Sequence, residues 1–228
     1  MSVEARGRLL EAYERLRPLA LDPSEFVVSR AKTLFEALVA TVLSQNTSDK
    51  LAIRALEGLR RLVGCPVTPE AILRTDPSQL AEAVRPAGMQ RRRAERLRAL
   101  AEALTKALDL LSRLKSMGVE EARETLMRLP GVGPKTADVL LMVMGKATFP
   151  VDTHISRVMP RLLGLEKADY EDLRTLAVEA LREPDKLREL HMKLILVGRR
   201  WCRLRRPSCE GCPLAPVCAY ARGRRGGA

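Results

Sequence analysis

The sequence predicts an all-α protein of about ten helices joined by short connections. Apolar residues recur at helical spacing along most of the chain, and no stretch of useful length alternates as a strand does. Hydrophobic residues make up 46% of the 228 residues but aromatic residues only 3%, so Leu, Ala and Val must build the core. That composition disfavours a β-sandwich or barrel. The length allows one large domain or two small ones.

Capping residues and prolines divide the first half of the chain into helices. Residues 3–17 have helical spacing and stop at Pro18. A second helix is predicted from Ser29, and the polar run after Leu43 ends it and caps the next one. The further helices of this half are predicted for residues 49–62 and after the pairs Thr68-Pro69 and Asp76-Pro77.

The second half is predicted to be helical in the same way. A turn at residues 86–88 precedes a long basic helix that starts near Gln90. Further helices are predicted for residues 120–128, 134–144 and 184–201, and from Asp152 and Asp169 onward. The last residues, 222–227, are of low complexity and are predicted to lack ordered structure.

A turn with two glycines, Leu129-Pro130-Gly131-Val132-Gly133, lies between two of these helices. Gly131 and Gly133 have no Cβ, so they allow positive φ and let a bulky anion approach the backbone. Pro134 follows at the first position of a helix, where its missing N–H is harmless. The N–H groups at this helix start point outward, which makes the turn a candidate phosphate site.

Lys135 and Asp152 are the candidate catalytic residues. A lysine beside a phosphate-binding turn, with a carboxylate downstream, is typical of an amine nucleophile and its electrostatic partner. The spacing alone leaves two simpler interpretations open. Lys135 can be a phosphate contact at a helix start, and Asp152 can be the N-cap of the helix that follows.

Four cysteines lie within residues 202–218, separated by gaps of six, two and five residues. In a cytoplasmic chain, cysteines this close favour a metal site over disulfides. Zinc sites usually have two C-x2-C pairs, whereas this loop has one. The unequal gaps suit a loop around an iron–sulfur cluster, with zinc and disulfides as the alternatives. The candidate ligands are Cys202, Cys209, Cys212 and Cys218.

The net charge of +12 predicts a polyanionic partner, and nucleic acid fits better than a membrane surface. No apolar run is long enough to span a bilayer, and the first residues do not form a signal peptide. We therefore expect a cytoplasmic protein. Nothing in the sequence indicates an assembly larger than a monomer.

The segments LPGVGPKTA and PVDTHISRV resemble the helix-hairpin-helix and Gly/Pro/Asp motif of the endonuclease III family of DNA glycosylases. The resemblance runs from about Phe26 to Cys218. It implies a two-domain all-α fold with a DNA-binding cleft between the domains. Residues 26–146 would form the domain that carries the hairpin, and residues 1–25 would join residues 147–228 in a discontinuous domain with the cluster loop.

The resemblance also implies the cofactor and the catalytic roles. The family holds a [4Fe–4S] cluster in a loop with the cysteine spacing found here, and its lyase-competent members have lysine at the position of Lys135. Lys135 would attack the sugar C1′ and form a Schiff base, while Asp152 would stabilise the developing positive charge. For this attack the amine must be neutral, so we expect partial burial and the helix N-terminus to lower its pKa.

A further implied role is that of the residues that fill the gap left by a flipped base. Gln45 and Met89 match the family's positions for this role. Arg91, Arg92 and Arg93 follow directly and are expected to contact neighbouring phosphates, with a solvated helix face as the alternative. The segment Gln45-Asn46-Thr47 departs from the commonest endonuclease III sequence and is similar to relatives that act on mismatched or alkylated bases. The residues expected to bind the DNA backbone are Leu129, Gly131, Val132 and Gly133.

The sequence thus predicts a base-excision-repair DNA glycosylase with apurinic/apyrimidinic lyase activity. Its expected partner is double-stranded DNA with an oxidised pyrimidine or an abasic site, at the nucleoid of a prokaryote. A mismatch or alkyl-base glycosylase is the alternative within the enzyme class. A non-catalytic damage-binding protein is the alternative outside it, and Lys135 with Asp152 speaks against it because a binder needs neither.

Overall fold

The computed structural model describes residues 3–225, and these residues form helices and turns without any β-strand, which confirms the predicted fold class. The chain divides into two compact units. One is Asp22–Met144, and the other combines the residues up to Leu21 with those from Gly145 onward. In chain order the helices are α1 (Val3–Leu16), α2 (Leu34–Ser44), α3 (Asp49–Val63), α4 (Pro69–Arg74), α5 (Pro77–Val84), α6 (Gln90–Lys106), α7 (Leu110–Arg113), α8 (Val119–Met127), α9 (Pro134–Val143), α10 (Ile155–Leu163), α11 (Tyr170–Leu181), α12 (Pro184–Arg200) and α13 (Ala219–Arg225).

Helix α2 is the centre of the unit Asp22–Met144. All its residues from Phe35 to Leu43 are buried, so it has no solvent-facing side over that stretch. It packs against α3, α6 and α9, while α4 and α5 cover α6. Leucines such as Leu38, Leu56 and Leu97 are fully buried in this core, as the aromatic-poor composition requires.

A buried ion pair fixes the start of α2. The Glu36 carboxylate is fully buried and accepts two hydrogen bonds from the Arg60 guanidinium, at 2.8 Å each. It also accepts from the backbone N–H groups of Lys32 and Val67, at 2.6 and 3.3 Å. Burial alone would raise the pKa of this carboxyl, but Arg60 and the two N–H groups outweigh it and lower the pKa.

Glu36→Gln should lower the free energy of unfolding by about 3 kcal/mol at pH 7, because Arg60 loses its charged partner. The folded-state pKa of Glu36 lies below its unfolded value, so its stabilisation is present above the unfolded pKa and is lost as the pH falls through the folded pKa. Urea titrations at descending pH should therefore show that the free energies of unfolding of wild type and Glu36→Gln become equal in acid. Glu82→Gln, which removes one partner of an exposed ion pair with Arg85, is the control and should change little. A constant difference down to pH 2 would contradict this account.

The other unit is held together by α1, which packs against α10, α11 and α12. The Tyr13 hydroxyl donates to Glu189 at 2.7 Å, and burial together with this carboxylate raises the pKa of Tyr13 to about 12. Lys193, almost fully buried, donates to the Arg17 carbonyl at 2.8 Å and pairs with Glu189 at 2.5 Å. These polar contacts fix the end of α1 against α12.

The structure corrects several of the predicted helix boundaries. The second helix begins at Leu34, because the Thr33 hydroxyl caps it by accepting from the Glu36 N–H at 3.1 Å, and residues 27–30 form a separate 3₁₀ turn. The short helix α7 is absent from the prediction. The prediction for the C-terminal tail is wrong for Arg222–Arg225, which lie in α13, and its remaining residues fall outside those described.

None of the helices within residues 3–225 has the length and apolarity that a membrane crossing requires.

Candidate active site and nucleic-acid interface

The two-glycine turn connects α8 and α9, as predicted. Gly131 adopts φ +75°, a left-handed conformation that glycine accepts without steric cost. The Val132 N–H donates back to the Leu129 carbonyl at 3.2 Å, which closes the turn. Leu129 and Val132 are buried while Gly131 and Gly133 are exposed. The apolar side chains therefore anchor the turn from inside, and only its backbone is available to a phosphate.

A buried ion pair locks the two helices of this hairpin. Arg123 of α8 donates from Nε to the Asp138 carboxylate of α9 at 3.1 Å, and both side chains are buried. The pair fixes the angle at which α9 leaves the turn. Since Gly133 precedes α9 and offers no side-chain cap, the first N–H groups of the helix stay directed outward.

Lys135 is the second residue of α9 and is half-buried. Pro134 occupies the first position of the helix, as predicted. Lys135 therefore lies on the first turn of the helix, two residues after Gly133. This placement brings an amine to the helix end where an anionic ligand is favoured.

Gly133→Ala should separate backbone binding from stability. A Cβ at Gly133 would meet nothing within 4 Å, and its φ of −96° suits any residue, so the free energy of unfolding should stay within about 0.5 kcal/mol of wild type. The added methyl group would occupy the approach of the phosphate, so affinity for damaged and undamaged duplexes should fall alike, by about tenfold.

The matched variant Gly131→Ala should instead cost about 1 kcal/mol of stability, because its φ of +75° strains any residue with a Cβ. Urea unfolding and fluorescence-anisotropy titrations at two salt concentrations would measure both effects. Wild-type affinity in Gly133→Ala would exclude this turn as the phosphate site.

The two predicted gap-filling residues lie at the ends of α2 and α6. Gln45 follows the last residue of α2 and is half-buried. Met89 precedes α6 with φ 47°, a left-handed conformation rare for methionine, and it is 46% exposed. An exposed apolar side chain on a strained turn is typical of a functional position. Arg91, on the first turn of α6, is exposed and accessible to a phosphate.

Arg93 differs from its two neighbours in the basic run. The sequence indicated that it reaches phosphates with Arg91 and Arg92, but the structure buries it to 1% exposure, so that interpretation is wrong. Its guanidinium donates to four backbone carbonyls, and burial lowers its pKa. The acceptors are the carbonyls of Val42, Gln45, Ala87 and Gly88. Arg93 thus holds the end of α2, at Gln45, against the turn that precedes α6, at Met89.

Arg96 is a residue that sequence reasoning missed. Its Nη1 donates to the Gln45 side-chain oxygen at 2.7 Å. The signal that could have found it is its position three residues after Arg93, on the same inward face of α6. Charged side chains are mostly exposed, so the sequence alone predicts an inward position for neither arginine.

Asp152 lies in the other unit and caps α10. One carboxylate oxygen accepts from the backbone N–H groups of His154 and Ile155, at 2.9 and 2.8 Å. The carboxylate is half-buried and is held in place by these bonds. Asp152 therefore caps α10 through one carboxylate oxygen. The second oxygen can accept a hydrogen bond from another partner.

His154 is packed tightly between α10 and α12. A Cβ added at Gly198 of α12 would lie 2.7 Å from the His154 Cβ, so only glycine allows this approach. Arg157 contacts the His154 Nδ1 at 3.0 Å. Burial, followed by the charges of Arg157 and Arg199, lowers the pKa of His154 against the opposing effect of Asp152. The neutral imidazole is a packing group beneath the Asp152 turn.

Two arginines of α10 connect this turn to the cysteine loop. Arg157 donates to the carbonyls of Thr153 and Cys202, at 3.2 and 2.8 Å. Arg161 donates to the carbonyls of Arg203 and Leu204, at 2.8 and 2.9 Å, and its Nη1 lies 3.4 Å from the Cys202 sulfur. The loop backbone is therefore pinned to the helix that Asp152 caps.

The four cysteines line one largely apolar cavity. Burial is the main cause that raises the pKa of Cys212 to about 11, and it raises the pKa of Cys218 as well. The Cys218 thiol donates to the Arg161 carbonyl at 3.4 Å. Among the described residues, no group of three or more His, Cys, Asp or Glu side chains could hold a single metal ion. The donor set is four thiols spread around a cavity.

A glycine hairpin that offers its backbone to phosphate, with a lysine behind it and apolar and amide side chains on adjoining turns, defines a helix-hairpin-helix protein that binds nucleic acid. A family model described as "HhH-GPD superfamily base excision DNA repair protein" matches residues 39–183. The chain is 34% identical to endonuclease III of Sulfolobus acidocaldarius, covering 92% of this chain and 95% of that protein. The chain belongs to the endonuclease III family of the HhH-GPD superfamily.

A second relative, endonuclease III of Thermotoga maritima, is 33% identical over 84% of this chain and 85% of that protein. Among solved structures, a trapped covalent endonuclease III–DNA intermediate in an estranged-adenine complex aligns with a TM-score of 0.78 at 27% identity, covering 99% of this chain and 100% of that one. A thermostable thymine-DNA glycosylase aligns with a TM-score of 0.77 at 23% identity, covering 96% and 97%, which shows the shared fold alone.

Proposed function

We propose that the protein is a base-excision-repair DNA glycosylase with apurinic/apyrimidinic lyase activity that removes oxidised pyrimidines, such as thymine glycol, from duplex DNA. The observation that carries the proposal is Lys135 on the first turn of α9, directly behind the exposed backbone of the glycine turn. The relatives known as endonuclease III, and the trapped covalent complex of one such enzyme with DNA, support it.

The hairpin backbone and Arg91 would bind phosphates and position the duplex. Met89 is exposed and apolar, so it can enter the stack as the damaged nucleotide leaves it. Gln45 would face the base that has lost its partner. These residues supply the extrusion step, in which stacking and pairing of the target are replaced by contacts with the protein.

Lys135 and Asp152 would carry the chemistry. The neutral Lys135 amine attacks C1′ while the bond from C1′ to the base breaks, and the base leaves with a proton. The negative charge of Asp152 stabilises the positive charge that develops on the sugar. Two backbone N–H groups hold the carboxylate in place for this role. The amine gives up a proton to the departing base. The C1′–O4′ bond then breaks as O4′ takes up a proton from solvent, which opens the sugar and leaves a protonated Schiff base between Lys135 and C1′. This Schiff base acidifies the neighbouring C2′ hydrogen, and loss of that proton expels the 3′ phosphate by β-elimination.

A mismatch or alkyl-base glycosylase remains the second candidate, because Gln45-Asn46-Thr47 departs from the commonest endonuclease III sequence. The relatives named endonuclease III, at 33–34% identity over 84–96% of the chain, favour the first candidate. In a non-catalytic damage-binding protein, Lys135 would have no chemical role and Asp152 would be a helix cap only.

Incision of a panel of duplexes tests the choice. The panel carries thymine glycol, dihydrouracil, a G·T mismatch, uracil, an alkylated adenine and a bare abasic site. We expect release of the two oxidised pyrimidines and cleavage at the abasic site. Release of uracil or mismatched thymine without strand cleavage would favour the mismatch glycosylase, and binding with no cleavage of any duplex would favour the damage-binding protein.

We further propose that Cys202, Cys209, Cys212 and Cys218 hold a [4Fe–4S] cluster. Four thiols around one apolar cavity suit a cluster with a thiolate for each iron corner. The neighbouring Arg157 and Arg161 hold the loop backbone that would carry it. Such a cluster would stiffen this loop and take no part in base removal.

Protein purified without oxygen should be yellow-brown and contain about four irons per chain. Cys209→Ser should lower the iron content and weaken duplex binding, while Cys65→Ser, at an exposed cysteine outside the loop, is the control and should change neither. Metal analysis by mass spectrometry with visible absorption measures the first effect. One zinc per chain and no iron would overturn the assignment.

A further inference from the structure

Arg96 contacts both the gap-filling residue Gln45 and the phosphate turn. Its Nη1 donates to the Gln45 Oε1 at 2.7 Å. Its Cδ and Cγ lie 3.8 and 3.9 Å from the position that a Cβ on Gly131 would take, so the side-chain stem lies beside the glycine turn. One half-buried arginine thus joins two surfaces that the proposed function assigns to DNA.

The chemistry of this contact decides which end of the Gln45 amide faces outward. A guanidinium has donors only, so the atom it contacts must be the amide oxygen. Rotating the amide by 180° would set its NH₂ group against the donors of Arg96. The nitrogen is therefore held at the other end of the amide, where it can only donate.

The backbone of Gln45 is fixed by the same helix. The Gln45 carbonyl accepts from Arg93, which is 1% exposed and also holds the carbonyl of Gly88 next to Met89. Arg93 therefore sets the position of Gln45, and Arg96 sets the orientation of its amide. Without Arg96, the amide could present its oxygen or its nitrogen with little difference in energy.

We propose that Arg96 is a positioning residue that makes Gln45 a hydrogen-bond donor toward the unpaired base opposite the lesion, and thereby sets how base excision depends on that base. The inference rests on the proposed function and deepens it. The four bases differ in the acceptors and donors along their edges, so a fixed donor favours some of them. An amide free to rotate would treat them more evenly.

Arg96→Met tests the proposal, since it keeps the apolar stem and removes the donors. The substrates are duplexes with thymine glycol opposite each of the four bases and a duplex with an abasic site. Excision opposite the preferred base should fall by about tenfold, the size expected for a lost charge-assisted hydrogen bond. The spread of rates among the four opposite bases should narrow, while cleavage at the abasic site should stay within about twofold of wild type.

Arg98→Met is the matched control. Arg98 lies on the same helix and donates to the carbonyls of Leu73 and Thr75, so the variant removes the same charge away from Gln45. It should leave the spread unchanged. Arg96→Lys, which keeps a positively charged hydrogen-bond donor group, should retain part of the spread. In a Gln45→Ala background, Arg96→Met should have no further effect.

Gln45→Glu provides a second test that keeps the contact with Arg96 as an ion pair. It presents an acceptor to the DNA in place of a donor, so it should change which opposite base is preferred. An unchanged order in this variant, or equal losses on all substrates in Arg96→Met, would overturn the inference. A wild-type protein that neither releases thymine glycol nor cleaves an abasic site would instead overturn the proposed function, whatever Arg96 does.

Discussion

Lys135→Gln should abolish strand cleavage at an abasic site and covalent trapping of DNA by borohydride, while duplex affinity stays within about threefold of wild type. Glutamine keeps most of the side-chain length but has no nucleophilic amine, so no Schiff base can form for the reductant to fix. The half-buried position on the first turn of α9 tolerates a neutral polar side chain of this size. The amount of trapped product should fall by more than about four orders of magnitude, to the detection limit of the assay.

Lys106→Gln is the matched control for this prediction. Lys106 is an exposed lysine at the C-terminal end of α6, so the variant removes the same charge from the same unit without touching the hairpin. Gel electrophoresis after borohydride treatment measures trapping, and anisotropy measures affinity. Persistence of the trapped complex in Lys135→Gln would show that another amine is the nucleophile.

Asp152→Asn should slow release of a damaged base by roughly a hundredfold, since a carboxylate that stabilises charge in the transition state is typically worth about 3 kcal/mol. Asparagine accepts hydrogen bonds from the N–H groups of His154 and Ile155 as aspartate does, so the cap of α10 and the fold should survive. Cleavage of an abasic site should slow less, because no base has to leave.

Asp152→Ala separates the two roles of this residue. It removes the cap together with the charge, so it should lower stability by about 1 kcal/mol in addition to slowing base release. Single-turnover rates with thymine glycol duplexes and thermal unfolding of each variant give the comparison. If Asp152→Asn releases the base at the wild-type rate, Asp152 is a structural cap only.

The turns and caps were predictable because a few local residues determine them. The spacing of Gly131, Gly133 and Pro134 fixes a turn followed by a helix start, and the structure has both. The pairs Thr68-Pro69 and Asp76-Pro77 start α4 and α5 as predicted, since cap and proline act within one turn. Helix α2 begins at Leu34 and not at the predicted Ser29, because the Thr33 hydroxyl caps it.

The inward arginines were not predictable from the same local information. Three consecutive arginines at 91–93 point in directions about 100° apart on a helix, so they cannot share one environment. Which one turns inward depends on the carbonyl of Val42, 51 residues away along the chain. The Arg96 contact with Gln45 spans the same sequence separation of 51. Burial of a charge is decided by such distant acceptors, which no short motif contains.

The way α1 is held has a consequence for synthesis of the chain. Its apolar face, with Leu9 and Leu16 fully buried, is covered by helices that the ribosome makes last, and Lys193 bonds to the Arg17 carbonyl across a sequence separation of 176. At about 5–20 residues per second, α1 waits roughly ten to thirty-five seconds for that partner, while the unit Asp22–Met144 has already emerged whole. During this interval the apolar face of α1 lacks the helices that cover it in the folded protein. Slow translation should therefore lower the yield of soluble protein. Co-expression of a chaperone that binds the apolar face of α1 should restore that yield.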